Sequence, residues 1–316
     1  MAQIEKQPVL SLCIPIYNRL AYLERQLKRF LEDKDLFEEK IQLVISDNCS
    51  TDDLRSCCEK YQAQGLKLVY HRNDTNLGPD GNFDWCFHHA DGKYVWLLGS
   101  DDIPVKGLLQ RLLDILEGKE YGLVHLSTSK RESELTEYCK DESIVADIGV
   151  WITFMSANII RTQSLNSINL KENIGSFMIQ VPAYLNACLT SETNAIADMG
   201  QLFEKDSDAA NNGGYNLFRV FVENLFGIYQ RFVDNGLMAQ SSFEKAKRAE
   251  YKNWLVNFVV NLLILHRPQR KNFDLEGSWK ILRKHYGKYP YAYYYTCVNI
   301  AKRLARTVLK PFSNKR

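Results

Sequence analysis

The sequence predicts an α/β fold: a Rossmann-like sheet over the first 125 or so residues, followed by a helical, basic C-terminal region. Three observations predict it. Short apolar runs alternate with segments of helical periodicity from Val9 to Ser127, the pattern of strand–helix–strand units in a mostly parallel sheet. The polar clusters Tyr17-Asn18, Asp47-Asn48, Asn76 and Asp101-Asp102 each follow an apolar run, at the strand ends where open α/β sheets take ligands. From Tyr215 onward the spacing is helical and the charge turns basic.

The elements follow in order. Val9–Ile16 is a short apolar run that reads as a buried strand entering the loop Pro15-Ile16-Tyr17-Asn18. Leu20, Leu23, Leu27, Phe30 and Leu31 have the spacing of an amphipathic helix. Ile41–Ser46 is a second strand, and Ser50-Thr51-Asp52-Asp53 opens a helix through Tyr61. Leu66–Tyr70 is a third strand, Asn76–Gly81 a loop, Phe83–Ala90 a helix and Tyr94–Leu98 a fourth strand. Helix Val105–Leu116 and strand Gly122–Ser127 complete the alternation. Between residues 130 and 215 the pattern is weaker: Trp151–Ile160 suits strands and Met178–Leu189 a helix. Tyr215–Phe232, Phe243–Leu265 and Tyr291–Leu309 read as helices, which sets domains at 8–212 and 213–316.

Composition narrows the function classes. With 45% hydrophobic and 25% charged residues the chain has the make-up of a globular protein. The formal net charge of +2 hides an uneven distribution. Residues 266–316 hold 13 Lys/Arg against Asp274 and Glu276, while the body is acidic, so the tail suits an anionic surface. The eight cysteines form no C-x-x-C pair, which withdraws support from zinc-ribbon and thioredoxin-like readings and suits a reduced, cytosolic chain. Pro15 interrupts an N-terminal apolar run too short for a secretory segment. The longest apolar run, Trp254–Leu265, falls short of the roughly 20 residues of a membrane span.

Two strand ends carry chemistry. Asp47, followed by Ser50-Thr51-Asp52, can accept hydrogen bonds from a nucleobase or ribose, or cap a turn. Asp101-Asp102, following the run Tyr94–Leu98, can hold a divalent cation against the negative charge of a departing diphosphate, or cap a helix before Pro104.

Pro15-x-Tyr17-Asn18, Ser46-Asp47-Asn48-x-Ser50-Thr51-Asp52, Asn76-Leu77-Gly78, Asn82, Gly92-Lys93-Tyr94 and Ser100-Asp101-Asp102 occur in this order. Together they resemble the inverting glycosyltransferases of family 2, and the stretches around Asp47, Asn76 and Trp96 resemble the bacterial abequosyltransferase-like subgroup. The resemblance covers about residues 8–125 and implies the A-type α/β fold with a mixed sheet. It implies a donor site lined by Pro15, Tyr17, Asn18, Asp47, Asn76, Asn82 and Asp101, with Asp47 on the base. It implies Asp102, aided by Asp101, as ligand of Mn or Mg; the first position of the family's Asp-x-Asp-type motif is Ser100 here. The family's base follows a later acidic motif. Here Gly175-Ser176-Phe177 resembles its lead-in, but Met178-Ile179-Gln180 follows, leaving Glu172, Glu192 and Asp198 as candidates.

The expected activity is sugar transfer from a nucleoside diphosphate sugar, UDP type favoured, to a hydroxyl of a glycan or polyprenyl-linked acceptor of bacterial surface polysaccharide. The alternative is a catalytically weak nucleotide-sugar-binding subunit. Pro15–Arg19 contains no glycine, which argues against a nucleotidyltransferase phosphate loop. Tyr289–Tyr295 with Lys302, Arg303, Arg306 and Lys310 suits an interfacial helix, or equally a packed helix with a solvated basic face. The expected location is cytoplasmic, peripheral on the inner membrane face, with no nucleic-acid partner. His125, inside an expected strand, reads as a core histidine in preference to a residue facing the acceptor.

Overall fold

The computed structural model describes residues 7–129, 133–204 and 214–313, with side chains through residue 305. The described residues form two units. One runs to Ile144 and resumes at Trp151; the other takes Val145–Val150 and the described residues from 214 onward. The expected boundary at 212/213 falls outside the described residues, and so do the side chains of Arg306 and Lys310.

The first part of the chain builds β1 (Leu10–Ile16), α1 (Leu20–Leu31), α2 (Lys34–Glu39), β2 (Ile41–Asp47), α3 (Leu54–Gln62), β3 (Val69–Arg72), α4 (Gly78–His88) and β4 (Tyr94–Leu97). Then come α5 (Leu108–Gly118), β5 (Leu123–Ser127), β6 (Leu135–Cys139), α6 (Ser143–Ile148), β7 (Asn158–Arg161), α7 (Gln180–Thr190) and β8 (Thr193–Asp198). The eight strands form one sheet in the order β3-β2-β1-β4-β7-β5-β8-β6. β1, β2, β3 and β4 are parallel, as are β5 and β8; β7 runs antiparallel between β4 and β5, and β6 antiparallel along β8. All seven residues of β1 are buried, as expected of a central strand covered on both faces.

Register sets the site. Ile16 pairs with Asp47 and Asp47 with Arg72, so β1, β2 and β3 end level. β4 ends earlier, with Leu97 opposite Cys13, and the turn at residues 98–102 rises beside the end of β1. Pro15 is buried in β1 rather than lining a pocket. Its missing N–H is tolerated because that side faces β4, which has already ended.

Several elements depart from expectation for local reasons. The third strand begins at Val69, not Leu66, because the Leu66 amide closes the end of α3 on the Tyr61 carbonyl. Helix α4 begins inside the expected loop, with Pro79 in its first turn, where a proline needs no donor. Helix α5 begins at Leu108 behind Gly107, whose φ of +83° favours glycine. Of Trp151–Ile160, expected as strand, Asn158–Ile160 lie in β7, while 3-10 turns at Gly149–Thr153 and Met155–Ala157 precede it.

The second unit is helical: α8 (Leu225–Asp234), α9 (Gln240–Glu250), α10 (Val256–Phe258), α11 (Ser278–Tyr286) and α12 (Pro290–Ser313), with π-helical turns at Arg219–Asn224, Tyr251–Leu255 and Val259–Ile264. Its interior encloses Lys247 in aromatic rings, from Tyr289 at 4.6 Å to Phe243 at 5.6 Å. Glu250 is buried one turn further on. The tyrosine run divides: Tyr291 packs near Tyr251 and Tyr286, while Tyr293 and Tyr294 are exposed.

Candidate active site

The site lies at the C-terminal edge of β1, β2 and β4. Three polar assemblies shape it.

The first joins the loop after β1 to the loop after β2. Asn18 has a φ of +49°. That conformation is held from both sides: the Asn18 amide donates to Ser50 Oγ at 2.9 Å, and Asn18 Oδ1 accepts from the Thr51 amide at 2.7 Å. The Leu20 amide donates to Asp52 at 3.0 Å. Tyr17, about half exposed, stands at the opening.

The second surrounds Asp47, which has no exposed surface. Its Oδ1 accepts from the Ser50 amide at 2.8 Å, and its Oδ2 from the Tyr70 hydroxyl at 2.7 Å and from Arg72 at 2.9 Å. Burial alone would raise its pKa, but these hydrogen bonds outweigh burial and hold the carboxyl below its ordinary value. Asp47 thus caps the turn at Ser50 and presents no open acceptor; the exposed group above it is Arg72. The expected base reader is corrected to that extent. Beside it, Asn48 bonds Asn76, Gly78 and Asn73, while Asn82 accepts from Ser46 and Asn73. Asn82 is buried and fixes strand to helix, so of the three expected donor-site asparagines Asn18 and Asn76 reach the surface and Asn82 does not.

The third holds the carboxylate pair. The Gly99 amide donates to Ser156 Oγ at 2.8 Å, and Ser156 Oγ donates to Asp102 Oδ2 at 2.6 Å. Gln26, fully buried, donates to the carbonyls of Gly99 and Asp102, each at 2.8 Å. A Cβ on Gly99 would lie 2.6 Å from Asp102 Oδ2 and 3.3 Å from Asp101 Oδ1, so glycine alone leaves room for both carboxylates. Burial lifts the Asp102 pKa to about 6; Asp101 adds to the rise, against the Ser156 bond and Arg19. Arg19 Nη1 reaches Asp101 Oδ1 and Ser100 Oγ, both at 3.2 Å.

The described residues hold no cluster of three or more His, Cys, Asp or Glu that could bind a metal ion. Two adjacent carboxylates nevertheless fit magnesium or manganese, which take one or two carboxylates and complete their shell with water and phosphate oxygens. Asp101 and Asp102 would hold it, at the cradle over Gly99.

None of the three candidate bases stands against Asp102. Glu192 precedes β8, at the opposite edge of the sheet, and pairs with Lys140 in solvent; topology removes it. Asp198 ends β8 level with Ser127, but β7 and β5 lie between β8 and β4, a lateral distance of about 14 Å at ~4.8 Å per strand. Its Oδ1 caps the Gly200 amide. Glu172 is exposed on the segment leading to α7 and accepts from Asn169. Asp80, which the sequence reading did not single out, ties that segment down: its carboxylate accepts from the amides of Gly175, Phe177 and Ile179. Gln180 stands where a carboxylate was sought and donates to the Thr153 carbonyl at 2.8 Å. His125 is buried against Asn158, a core histidine as read.

A mixed sheet of this order, with a braced carboxylate pair where a central strand ends, defines an A-type glycosyltransferase. The model of glycosyl transferase family 2 matches residues 11–183, more than half of the chain, and the chain belongs to that family. It is 39% identical over 110 residues to abequosyltransferase RfbV of Salmonella typhimurium, covering 34% of this chain and 33% of that protein. It is 30% identical over 107 residues to a GalNAc(5)-diNAcBac-PP-undecaprenol β-1,3-glucosyltransferase of Campylobacter jejuni, covering 34% of each. The match thus spans about a third of these curated relatives. Among solved structures, S. aureus TarS 1–349 superposes with a TM-score of 0.61 at 18% identity, over 88% of this chain and 81% of that one. The mannosyltransferase PcManGT of Pyrobaculum calidifontis, in complex with GDP-Man and Mn2+, gives 0.57 at 14% identity, over 98% and 83%.

Proposed function

We propose that the protein is an inverting glycosyltransferase that moves a sugar from a nucleoside diphosphate sugar to a hydroxyl of a glycan or lipid-linked acceptor in bacterial surface polysaccharide synthesis. The observation that carries this reading is the Gly99-Ser156-Asp102 brace, which fixes a carboxylate at the end of a central strand of a family 2 sheet. The name of the Campylobacter relative, which carries a PP-undecaprenol acceptor, supports the acceptor class.

The nucleoside lies over Tyr17, Asn76 and Arg72, and Asp47 sets the pose of Arg72. A UDP-type donor is favoured. Asp101 and Asp102 would hold a divalent cation, which would supply positive charge against a departing diphosphate. Asp102 orients through Ser156, and Arg19 is the counter-charge beside the pair, on Asp101. Glu172, just before the segment that Asp80 anchors, is the candidate that sheet topology leaves for taking the proton from the acceptor hydroxyl. The site works in the cytoplasm at the inner membrane face. No helix of the described residues is long and apolar enough to cross a membrane, and the basic tail attaches peripherally.

A screen of UDP-, GDP-, CDP- and dTDP-sugars with and without manganese tests this. One donor class should bind tightly and be turned over with an extracted lipid-linked acceptor. Binding of none, or binding without any turnover of donor, overturns the enzymatic reading. Flotation with anionic vesicles at low salt and release at high salt tests attachment.

A further inference from the structure

The second unit holds an apolar groove of about 340 Å3. The last π-helical turn contributes Val259 and Ile264, α11 contributes Trp279 and Leu282, and α12 contributes Ala292 and Tyr293. Leu282, Val259 and Ala292 are buried, while Trp279 and Tyr293 are 55% and 61% exposed. Apolar surface of this kind, open to water and rimmed by polar groups, marks a binding site rather than unfinished core. The volume is at the small end of small-molecule sites.

Charge states what the occupant carries. The three wall segments, residues 251–264, 278–288 and 290–304, contain seven Lys/Arg and no Asp or Glu. Arg283 lines the groove itself. The ligand that matches has a hydrocarbon body and an anionic head. The groove is single, so it takes one chain, whereas a bilayer phospholipid brings two.

We propose that this groove seats the hydrocarbon chain of a polyprenyl diphosphate lipid, with the phosphates against Arg283, since the adjacent Lys284 is paired with Glu223. The proposal rests on the lipid-linked acceptor of the function proposed above. It adds a site for the lipid, on residues outside the family 2 match.

Geranylgeranyl diphosphate is the probe, used with the full-length chain. Cys297 lines the groove and is exposed, so it reports occupancy directly. Saturating probe should slow maleimide labelling of Cys297 about tenfold and leave labelling of the exposed Cys139 unchanged. Cys297→Phe and Arg283→Glu should each weaken binding of the probe about tenfold while leaving nucleotide-sugar binding unchanged. Should Cys297→Phe fail to fold, labelling of the unaltered chain still decides. No protection of Cys297, or equal protection by inorganic diphosphate, overturns the proposal. Equal protection by phosphatidylglycerol vesicles also overturns it, because the occupant is then a phospholipid chain. Donor turnover measured in the same samples separates the two readings: turnover without protection refutes the groove alone, and protection without turnover refutes the enzyme alone.

Discussion

Replacing Gly99 by alanine adds one methyl group at the most crowded point of the carboxylate turn. Gly99 is not among the residues of positive φ, so the backbone accepts alanine and the effect is that of the Cβ alone. That Cβ would stand 2.6 Å from Asp102 Oδ2 and 3.2 Å from Ser156 Oγ, where ordinary contact begins near 3.4 Å. The carboxylate oxygen must therefore retreat by about 0.8 Å. It is not free to do so, because Ser156 grips it at 2.6 Å and Gln26 pins the Asp102 carbonyl. Overpacking of this kind costs about 1–3 kcal/mol of stability. A catalytic group displaced by roughly 1 Å loses about 10²-fold in rate. Steady-state transfer at saturating donor and manganese should show kcat down by that factor. The melting temperature should fall by about 2–4 °C per kcal/mol. Wild-type kcat in Gly99→Ala would refute the claim that the position of Asp102 governs the reaction.

Four further outcomes are expected. Asp80→Ala leaves the amides of Gly175, Phe177 and Ile179 without an acceptor, at about 1–3 kcal/mol each; hydrogen exchange at those three should accelerate far more than at the sheet, and uniform exchange would contradict it. Arg19→Ala removes the cation that competes for Asp101, so manganese should bind several-fold more tightly without donor; weaker binding would show that Arg19 helps to build the site. Arg72→Ala should weaken nucleoside diphosphate binding by about 1–3 kcal/mol in calorimetry, and unchanged affinity would move the nucleoside elsewhere. Burial holds the Glu250 pKa well above 4.5, against the pull of Lys247, so the folded chain keeps a proton the unfolded chain releases. That contribution to stability shrinks as pH rises above the unfolded value, so Glu250→Gln should gain on the wild type as pH rises from 4.5; parallel melting curves over that rise would refute it.

The parallel half of the sheet was legible because its residues obey local rules. Ile41–Asp47 and Leu10–Ile16 are nearly continuous apolar runs, and Leu23, Leu27 and Phe30 repeat at helical spacing. The antiparallel strands were not. Leu135–Cys139 carries polar residues that only its partner justifies, and although Trp151–Ile160 suits a strand, no local pattern places β7 between β4 and β5. The same division runs through the site. Asp47 and Asp101-Asp102 stand out because they follow apolar runs. Ser156, Gln26 and Asp80 do not, because each acts on a segment more than 50 residues away in the chain. Arg19 was visible as a residue of the first loop, but its pairing with Asp101 depends on β4 ending three residues before β1.

The position of β7 also bears on how the protein comes to be made. As the chain grows from its N-terminus, β4 has a partner on one side only, and its other side is an open edge available for wrong pairing. The correct neighbour is Asn158–Arg161, and the hydroxyl that steadies Asp102 arrives 54 residues after that aspartate. Early folding therefore yields a nucleoside-facing half-sheet whose carboxylates are not yet held. The reactive geometry forms only after a long-range closure slots β7 beside β4, a slow kind of step. A nascent chain stalled before residue 156 would carry the aspartates without the means to aim them.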